Sequence, residues 1–256
     1  MKLLAGRDIA EFIAQRHTTL VAGMAMPPHL AIVRMGEDAG TDVYLRVKSR
    51  YGESIGVKVS VFAETPDSIL ERIHHLNLDS GVTGIIVQLP LSDPKMVSPA
   101  LAAVALEKDV DGLAPGTSFE AATPKAALWL LAAHNVDLKG RIVVIGQGRL
   151  VGKPLADRLE ASGLDVVRCD IHTKNLAAET LQADIIFTCT GQPHLIKPDM
   201  VRPDTVLIDT GSPKSELDPA LYRQDDLIIT PNPGGVGPMT VVSLFDNLLI
   251  AAQSAA

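Results

Sequence analysis

Short apolar runs of strand length alternate along this chain with longer stretches in which apolar residues recur at helical spacing. That alternation constrains the fold more than any other feature, because it is the sequence form of a parallel sheet whose crossover helices cover its faces. In the first half, "LAIVRM" (30–35), "VKVSVFA" (57–63) and "GIIVQL" (84–89) read as strands. In the second half "RIVVIG", "LDVVRC", "ADIIFTC", "DTVLID" and "LIIT" supply five more, enough for a complete nucleotide-binding sheet. The fold class is α/β.

Helices fill the gaps. One begins near Thr41 and ends at Gly56; another follows Thr65-Pro66, and a third follows Thr123-Pro124 and stops before Gly140. In the last two, a capping residue precedes a proline at the first helical position. The loop-like stretch "DVDGLAPGTSFEAATP" places the join between two domains ahead of Lys139. The final segment, "GPMTVVSLFDNLLIAAQ", carries Val241, Leu244, Leu248 and Ile250 at roughly helical spacing and needs a surface to bury them, which a return to the first domain would supply.

Composition narrows the class of function. With 256 residues and 46% apolar content the chain can build real cores, and a net charge of −7 argues against a nucleic-acid surface. Charges at Arg7, Asp8 and Glu11 interrupt any N-terminal apolar region, and no uncharged stretch elsewhere reaches bilayer length. Cys169 and Cys189 each follow an apolar run and read as reduced thiols. No metal-ligand spacing links them to the histidines. The expectation is a cytoplasmic protein without metal, membrane or nucleic-acid partner.

The stretch "VVIGQGRLVGKP" (143–154) is a strand breaking on glycines and re-entering as a helix. Gly146 suits a tight turn, Gly148 a close backbone approach to phosphate, and Gly152 close helix-to-strand packing. The spacing G-x-G-x-x-x-G departs from the usual dinucleotide fingerprint, with Val151 where a glycine is expected, and glycines also end buried strands that bind nothing. The next strand ends at Cys169-Asp170, about twenty residues on, where a carboxylate can accept from both ribose hydroxyls.

Other residues carry chemistry in the first half. Tyr44 and Lys48 stand four apart on one helix face, either as an ordinary surface pair or as a lysine desolvated beside a π-face. Gln88 sits at the C-terminal mouth of its strand, where ligands bind in α/β sheets, though a glutamine there can also bond to loop backbone. Asp109 and Asp111 flank a glycine-bearing turn in "EKDVDGLAPG" and can make Asx-turns. "TPNPGGVGPMT" (230–240) is a proline- and glycine-rich loop entering a helix, suited to wrapping a ligand.

Taken in order, the Tyr44/Lys48 helix, "GIIVQLPL", "KDVDG", "TP" at 123–124, "VGKPLA" and "PGGVGPMT" resemble the methylenetetrahydrofolate dehydrogenase/cyclohydrolase enzymes of one-carbon metabolism. The resemblance spans nearly the whole chain. It implies a catalytic, folate-binding domain over 1–120 and 238–256, a Rossmann-like dinucleotide-binding domain over 121–237, a cleft between them and a homodimer. It implies NADP- or NAD-dependent oxidation of 5,10-methylenetetrahydrofolate, then hydrolysis of the methenyl product to 10-formyltetrahydrofolate. Lys48 matches the family's essential lysine, Gln88 its orienting partner, Tyr44 the residue stacking on the folate and Asp111 the carboxylate accepting from the pterin. Leu89, Pro90, Pro233, Gly234, Gly235 and Pro238 complete the substrate side. Gly146, Gln147, Gly148, Arg149, Val151, Gly152, Asp170, Ile171, Thr190, Gly191, Gly235 and Thr240 match the cofactor side.

Departures from the family pattern concentrate at the nucleotide. The usual turn reads G-R-S-x-x-V-G-x-P, and here Gln147 and Gly148 replace the arginine and serine; the usual His-Ser after the next strand is Asp170-Ile171. These changes remove partners for a 2′-phosphate and add a charge that repels it, which favours NAD, although Arg149, His172 or Lys174 could still reach a 2′-phosphate. Ala122 stands where the family has cysteine, the asparagine after "DVDG" is missing, and "DTGSPKSELDPALYRQDD" replaces a longer connection. The alternatives are a monofunctional cyclohydrolase or dehydrogenase, or a non-catalytic folate- or nucleotide-binding protein.

Overall fold

The computed structural model describes residues 1–36 and 39–254, with the side chains of 39–41 excepted. In chain order its elements are β1 (Lys2–Leu3), α1 (Arg7–Ala22), β2 (His29–Met35), α2 (Ala39–Ser54), β3 (Lys58–Glu64), α3 (Ile69–Leu78), β4 (Gly84–Val87), α4 (Val97–Ala103), α5 (Ala122–Ala133), β5 (Arg141–Ile145), α6 (Gly152–Ala161), β6 (Asp165–Cys169), α7 (Leu176–Thr180), β7 (Ile185–Thr188), β8 (Val206–Asp209), β9 (Ile228–Ile229) and α8 (Val236–Ser254). Two compact units result, one of Phe12–Ala122 with Val241–Ala256, the other of Met1–Glu11 with Thr123–Thr240.

In the unit of Phe12–Ala122 the described strands form a parallel sheet in the order β3-β2-β4. The central strand β2 is buried along all but Arg34, as a strand flanked on both sides and covered on both faces must be. β3 lies at the edge and is more exposed. Gly84 opens β4 because a Cβ there would meet Val110 and Leu248 side chains at 2.7 Å. That close approach seats α8 against the sheet. Leu244, Phe245, Leu248 and Leu249 of α8 join Leu30, Ile32 and Ile86 in one core, with Val241 packed against it, while Ile250 turns outward. The inward stripe therefore takes in Phe245 and Leu249 and leaves out Ile250, which the expected spacing had included. The apolar length of α8 would suffice to cross a membrane by composition, and more than half of it is buried in the protein.

In the other unit all strands of the sheet run parallel in the order β1-β9-β8-β7-β5-β6. The chain goes from β5 to one neighbour, β6, and then back across to the other, β7. The C-terminal ends of β5 and β7 are thus a switch point, where open α/β sheets bind ligands. Val143, Ile145, Ile186, Leu207 and Ile229 line the core beneath. The first eleven residues group with this unit, not with the first domain as expected from sequence, because β1 extends the sheet beside β9.

Several boundaries move from expectation for local reasons. β4 ends at Val87, so Gln88 and Leu89 lie beyond the strand, and Leu89–Pro90 is cis. The helix expected at Thr65-Pro66 starts at Ile69, because Thr65 to Ser68 close a turn first: the Ser68 amide donates to the Thr65 carbonyl (3.2 Å) and its hydroxyl to Glu64 (2.6 Å). α5 takes Thr123 and Pro124 into its first turn and ends at Ala133, before Gly140 as expected; Asn135, with φ 53°, stops it in the left-handed conformation. α2 begins at Ala39, and the Thr41 side chain expected to open it lies outside the described residues.

Candidate active site

The helix α2 and the end of β4 bring together two residues forty positions apart. Lys48 Nζ donates to Gln88 Oε1 at 2.9 Å. Gln88 is 8% exposed, and its backbone N–H continues the pairing of β4 onto the Val33 carbonyl at 2.8 Å. Its Nε2 donates to the Leu89 carbonyl at 3.0 Å. The glutamine thus does both things its position allows: it holds the loop and it receives the lysine. Leu89 is half-buried and Pro90 exposed on the same loop.

The two aspartates of the "DVDG" turn have separate tasks. Asp109 is 2% exposed and accepts from the Ala114 N–H at 2.8 Å, tying the turn to the loop that follows. Gly112 at φ +72° makes the bend, and a Cβ there would meet the Ala121 nitrogen at 2.6 Å. Asp111 is left to Lys48. Burial lowers the Lys48 pKa from its ordinary value, and the Asp111 carboxylate opposes that shift. Burial raises the Asp111 carboxyl, and Lys48 opposes that. A lysine whose charge is disfavoured by its surroundings can exchange a proton nearer neutrality than a surface lysine can. Tyr44, one turn earlier on α2, is 43% exposed, so its ring is accessible for stacking.

Two further residues position this turn, and neither is among those expected from sequence. Asn247 of α8 is 1% exposed and donates to the carbonyls of Val110 and Glu120 at 2.9 Å each. Ser243 Oγ donates to the Ala122 carbonyl at 2.6 Å. The signal that could have found them is a polar residue on an otherwise apolar helix face, which in a buried setting must find a partner.

In the other unit, the glycine turn follows β5 at the switch point. Gly146 has φ +90°, and a Cβ there would meet the Cys189 carbonyl oxygen at 2.6 Å. Gly152 opens α6, and a Cβ there would run into the Gly146 carbonyl. Around Gly148 nothing lies within 4 Å of the place a Cβ would take, so the fold leaves open space beside that backbone. Two of the three glycines therefore make the turn and the third leaves room at the N-terminus of a ten-residue helix, an arrangement that fits phosphate. Val151 is the residue before α6, and Arg149 is exposed on the turn.

Gln147 Nε2 donates to the Val144 carbonyl at 3.1 Å, and its Oε1 lies 3.4 Å from Arg168 Nη1. Arg168 itself is tied to Asp157 and Glu160, each at 2.6 Å. Past β6, the Asp170 carboxylate accepts from the His172 N–H at 2.8 Å, and Ile171 is 90% exposed beside it. Thr190 and Gly191 follow β7, Gly191 with φ +74°. In "PGGVGPMT", α8 begins at Val236, so Pro238 and Thr240, expected in a loop, are helical; Thr240 Oγ1 donates to the Val236 carbonyl at 3.2 Å. Pro233 is exposed in the loop before it, while Gly235 is buried and packs against Gly6. Cys169 and Cys189 are free thiols.

Known proteins match both halves of the chain. The model of the tetrahydrofolate dehydrogenase/cyclohydrolase catalytic domain matches residues 4–111, and that of the NAD(P)-binding domain of the same family matches residues 121–256. The chain belongs to the tetrahydrofolate dehydrogenase/cyclohydrolase family. The bifunctional protein FolD of Bordetella avium is 38% identical over 96% of this chain and 93% of its own. The crystal structure of the FolD methylenetetrahydrofolate dehydrogenase/cyclohydrolase from Campylobacter jejuni matches with a TM-score of 0.92 at 31% identity, covering 100% of both chains. The FolD structure from Trypanosoma brucei, complexed with NADP and an inhibitor, matches with a TM-score of 0.91 at 25% identity over 98% of this chain and 97% of that one. These family members share the α/β architecture with a Rossmann-like NAD(P) domain described above.

Proposed function

We propose that this family member oxidises 5,10-methylenetetrahydrofolate to the 5,10-methenyl cation with a nicotinamide dinucleotide and hydrolyses the cation to 10-formyltetrahydrofolate. The observation that carries the proposal is the 2.9 Å contact between Lys48 Nζ and Gln88 Oε1, on a lysine whose pKa is depressed by burial and faced by Asp111. A folate- or nucleotide-binding module has no use for a proton carrier so placed.

The residues divide the work. Hydride loss from the methylene carbon is assisted by the adjacent nitrogen lone pairs, so that step needs positioning more than acid or base catalysis. The dinucleotide, when bound, supplies the hydride acceptor. Hydrolysis is different, since attack of water on the cation requires removal of a proton from water and delivery of one to the departing nitrogen. Lys48 takes and returns that proton, and Gln88 fixes the direction of its Nζ. Asp111 accepts from the amino and ring N–H groups of the pterin, a bidentate pairing suited to a carboxylate. Tyr44 stacks on the folate ring; Leu89, Pro90, Pro233, Gly234, Gly235 and Pro238 line the substrate. Gly146 to Gly152, with Thr190, Gly191, Gly235 and Thr240, hold the dinucleotide.

The dinucleotide favoured is NAD. Gln147 offers no charge to a 2′-phosphate, Arg168 is already held by Asp157 and Glu160, and Ile171 offers no side-chain hydrogen bond. Asp170 suits ribose hydroxyls and repels a phosphate dianion. The protein functions as a homodimer in this reading, which sedimentation tests directly. For the reaction, formation and decay of methenyltetrahydrofolate absorbance with NAD, with NADP and without either is the test. A higher kcat/KM with NADP removes the cofactor assignment, and absence of both formation and decay removes the proposal.

A further inference from the structure

The connection between β8 and β9 carries a carboxylate that the reaction above leaves without a role. Glu216 is 1% exposed and lies at the C-terminal edge of the nucleotide sheet. It accepts from the Thr190 N–H at 2.9 and 3.0 Å through its two oxygens, from Thr190 Oγ1 at 2.6 Å and from the Gly191 N–H at 2.7 Å. Its own backbone N–H donates to Asp209 Oδ1 at 3.3 Å. Asp209, 3% exposed, also accepts from the Gly211 N–H at 2.8 Å and, through Oδ2, from Asn232 Nδ2 at 3.0 Å. Two adjacent buried carboxylates therefore tie together the ends of β7, β8 and β9.

Burying a charge without a cation costs stability that an apolar residue of the same size would not, and two carboxylates side by side add mutual repulsion. Burial and Asp209 both raise the Glu216 carboxyl, and the Thr190 and Gly191 donors oppose them. The compensation comes from donors at the end of β7, so the turn and the carboxylate hold each other in one geometry. With its N–H groups and the Thr190 hydroxyl held by Glu216, this turn keeps one geometry beside the glycine turn, where a Cβ on Gly146 would meet the Cys189 carbonyl oxygen at 2.6 Å and Thr190 Cγ2 at 2.9 Å.

We infer that Glu216 is a positioning residue for the dinucleotide: it locks the Thr190-Gly191 turn, which borders the glycine turn at the switch point of the sheet, in the geometry that receives the dinucleotide. This rests on the reading of Thr190 and Gly191 as dinucleotide-binding. Glu216→Gln keeps the volume but places N–H donors against N–H donors. Its Kd for NADH, read by NADH fluorescence, is expected to rise tenfold or more. Methenyltetrahydrofolate hydrolysis measured without dinucleotide reports whether the rest of the protein is intact. Thr190→Val removes one donor to Glu216 and is expected to raise the Kd about threefold; it decides the matter if Glu216→Gln does not fold, as judged by circular dichroism. Glu216→Asp, which keeps the charge, is expected to bind better than Glu216→Gln. An unchanged Kd in folded Glu216→Gln, or in Thr190→Val where the first does not fold, overturns the inference. Wild-type protein with no affinity for NADH or NADPH fails the underlying reading instead.

Discussion

Replacing Gln88 by leucine removes the acceptor of the Lys48 Nζ hydrogen bond while nearly preserving side-chain volume. The contact is 2.9 Å long and reaches a cationic donor from a residue 8% exposed, the kind of hydrogen bond worth about 1.5–3 kcal/mol. At about 1.4 kcal/mol per decade, its loss lowers kcat/KM for methenyltetrahydrofolate hydrolysis by roughly 10- to 150-fold. The pH profile supplies a second readout with a definite sign. The Gln88 oxygen is a better partner for the ammonium than for the neutral amine, so it favours the protonated form. Removing it lets the proton leave more readily, adding to the depression already caused by burial. The acid-side limb of the hydrolysis profile therefore moves to lower pH. The assay is the decay of methenyl absorbance across pH, with the uncatalysed rate subtracted. A loss of less than threefold with an unmoved limb, or a limb moved to higher pH, refutes the assigned role of the contact.

Other consequences are equally specific. Asn247→Leu leaves the buried Val110 carbonyl without its donor, at about 1–3 kcal/mol, and removes the part-buried bond to Glu120, so urea denaturation should show a loss of about 1–3 kcal/mol; a loss under about 0.5 kcal/mol contradicts the clamp. Gly146→Ala should destabilise the protein by about 1–3 kcal/mol through its positive φ and the Cys189 carbonyl, measured in the same way. Gly148→Ala meets open space and should leave stability within about 0.5 kcal/mol, while its added methyl weakens NADH binding measured by fluorescence. Asp170→Ser should raise the ratio of kcat/KM for NADP over NAD by about tenfold, and an unchanged ratio removes Asp170 from cofactor choice.

What can be read from sequence and what cannot follows from the range of the interactions involved. The α/β class, most strands and the glycine turn are legible because they depend on periodicity and on the conformational freedom of single residues, all local. Tyr44 and Lys48 can be placed on one helix face for the same reason. The hydrogen bond from Lys48 to Gln88 cannot be read from spacing, since forty residues and a parallel sheet register separate the two, and it is expected only through the resemblance to the family. β1 is two residues long, too short for any period, and its pairing with β9 carries the first eleven residues into the nucleotide unit. In α8, apolar residues are present on more than one face, so spacing alone does not choose Phe245 and Leu249 over Ile250. Glu216 lies within the connection "DTGSPKSELDPALYRQDD", where no local pattern marks an acidic residue for burial. Its burial is decided by the Thr190 and Gly191 donors at the end of β7.

The proposed chemistry meets its most direct test in Lys48→Met, assayed with 5,10-methylenetetrahydrofolate and NAD while methenyl absorbance is followed. The wild-type protein should form the methenyl species and consume it; the variant should still form it and let it accumulate, because Lys48 serves hydrolysis and the hydride step needs no strong acid. A variant that hydrolyses methenyltetrahydrofolate as fast as wild type contradicts the central assignment.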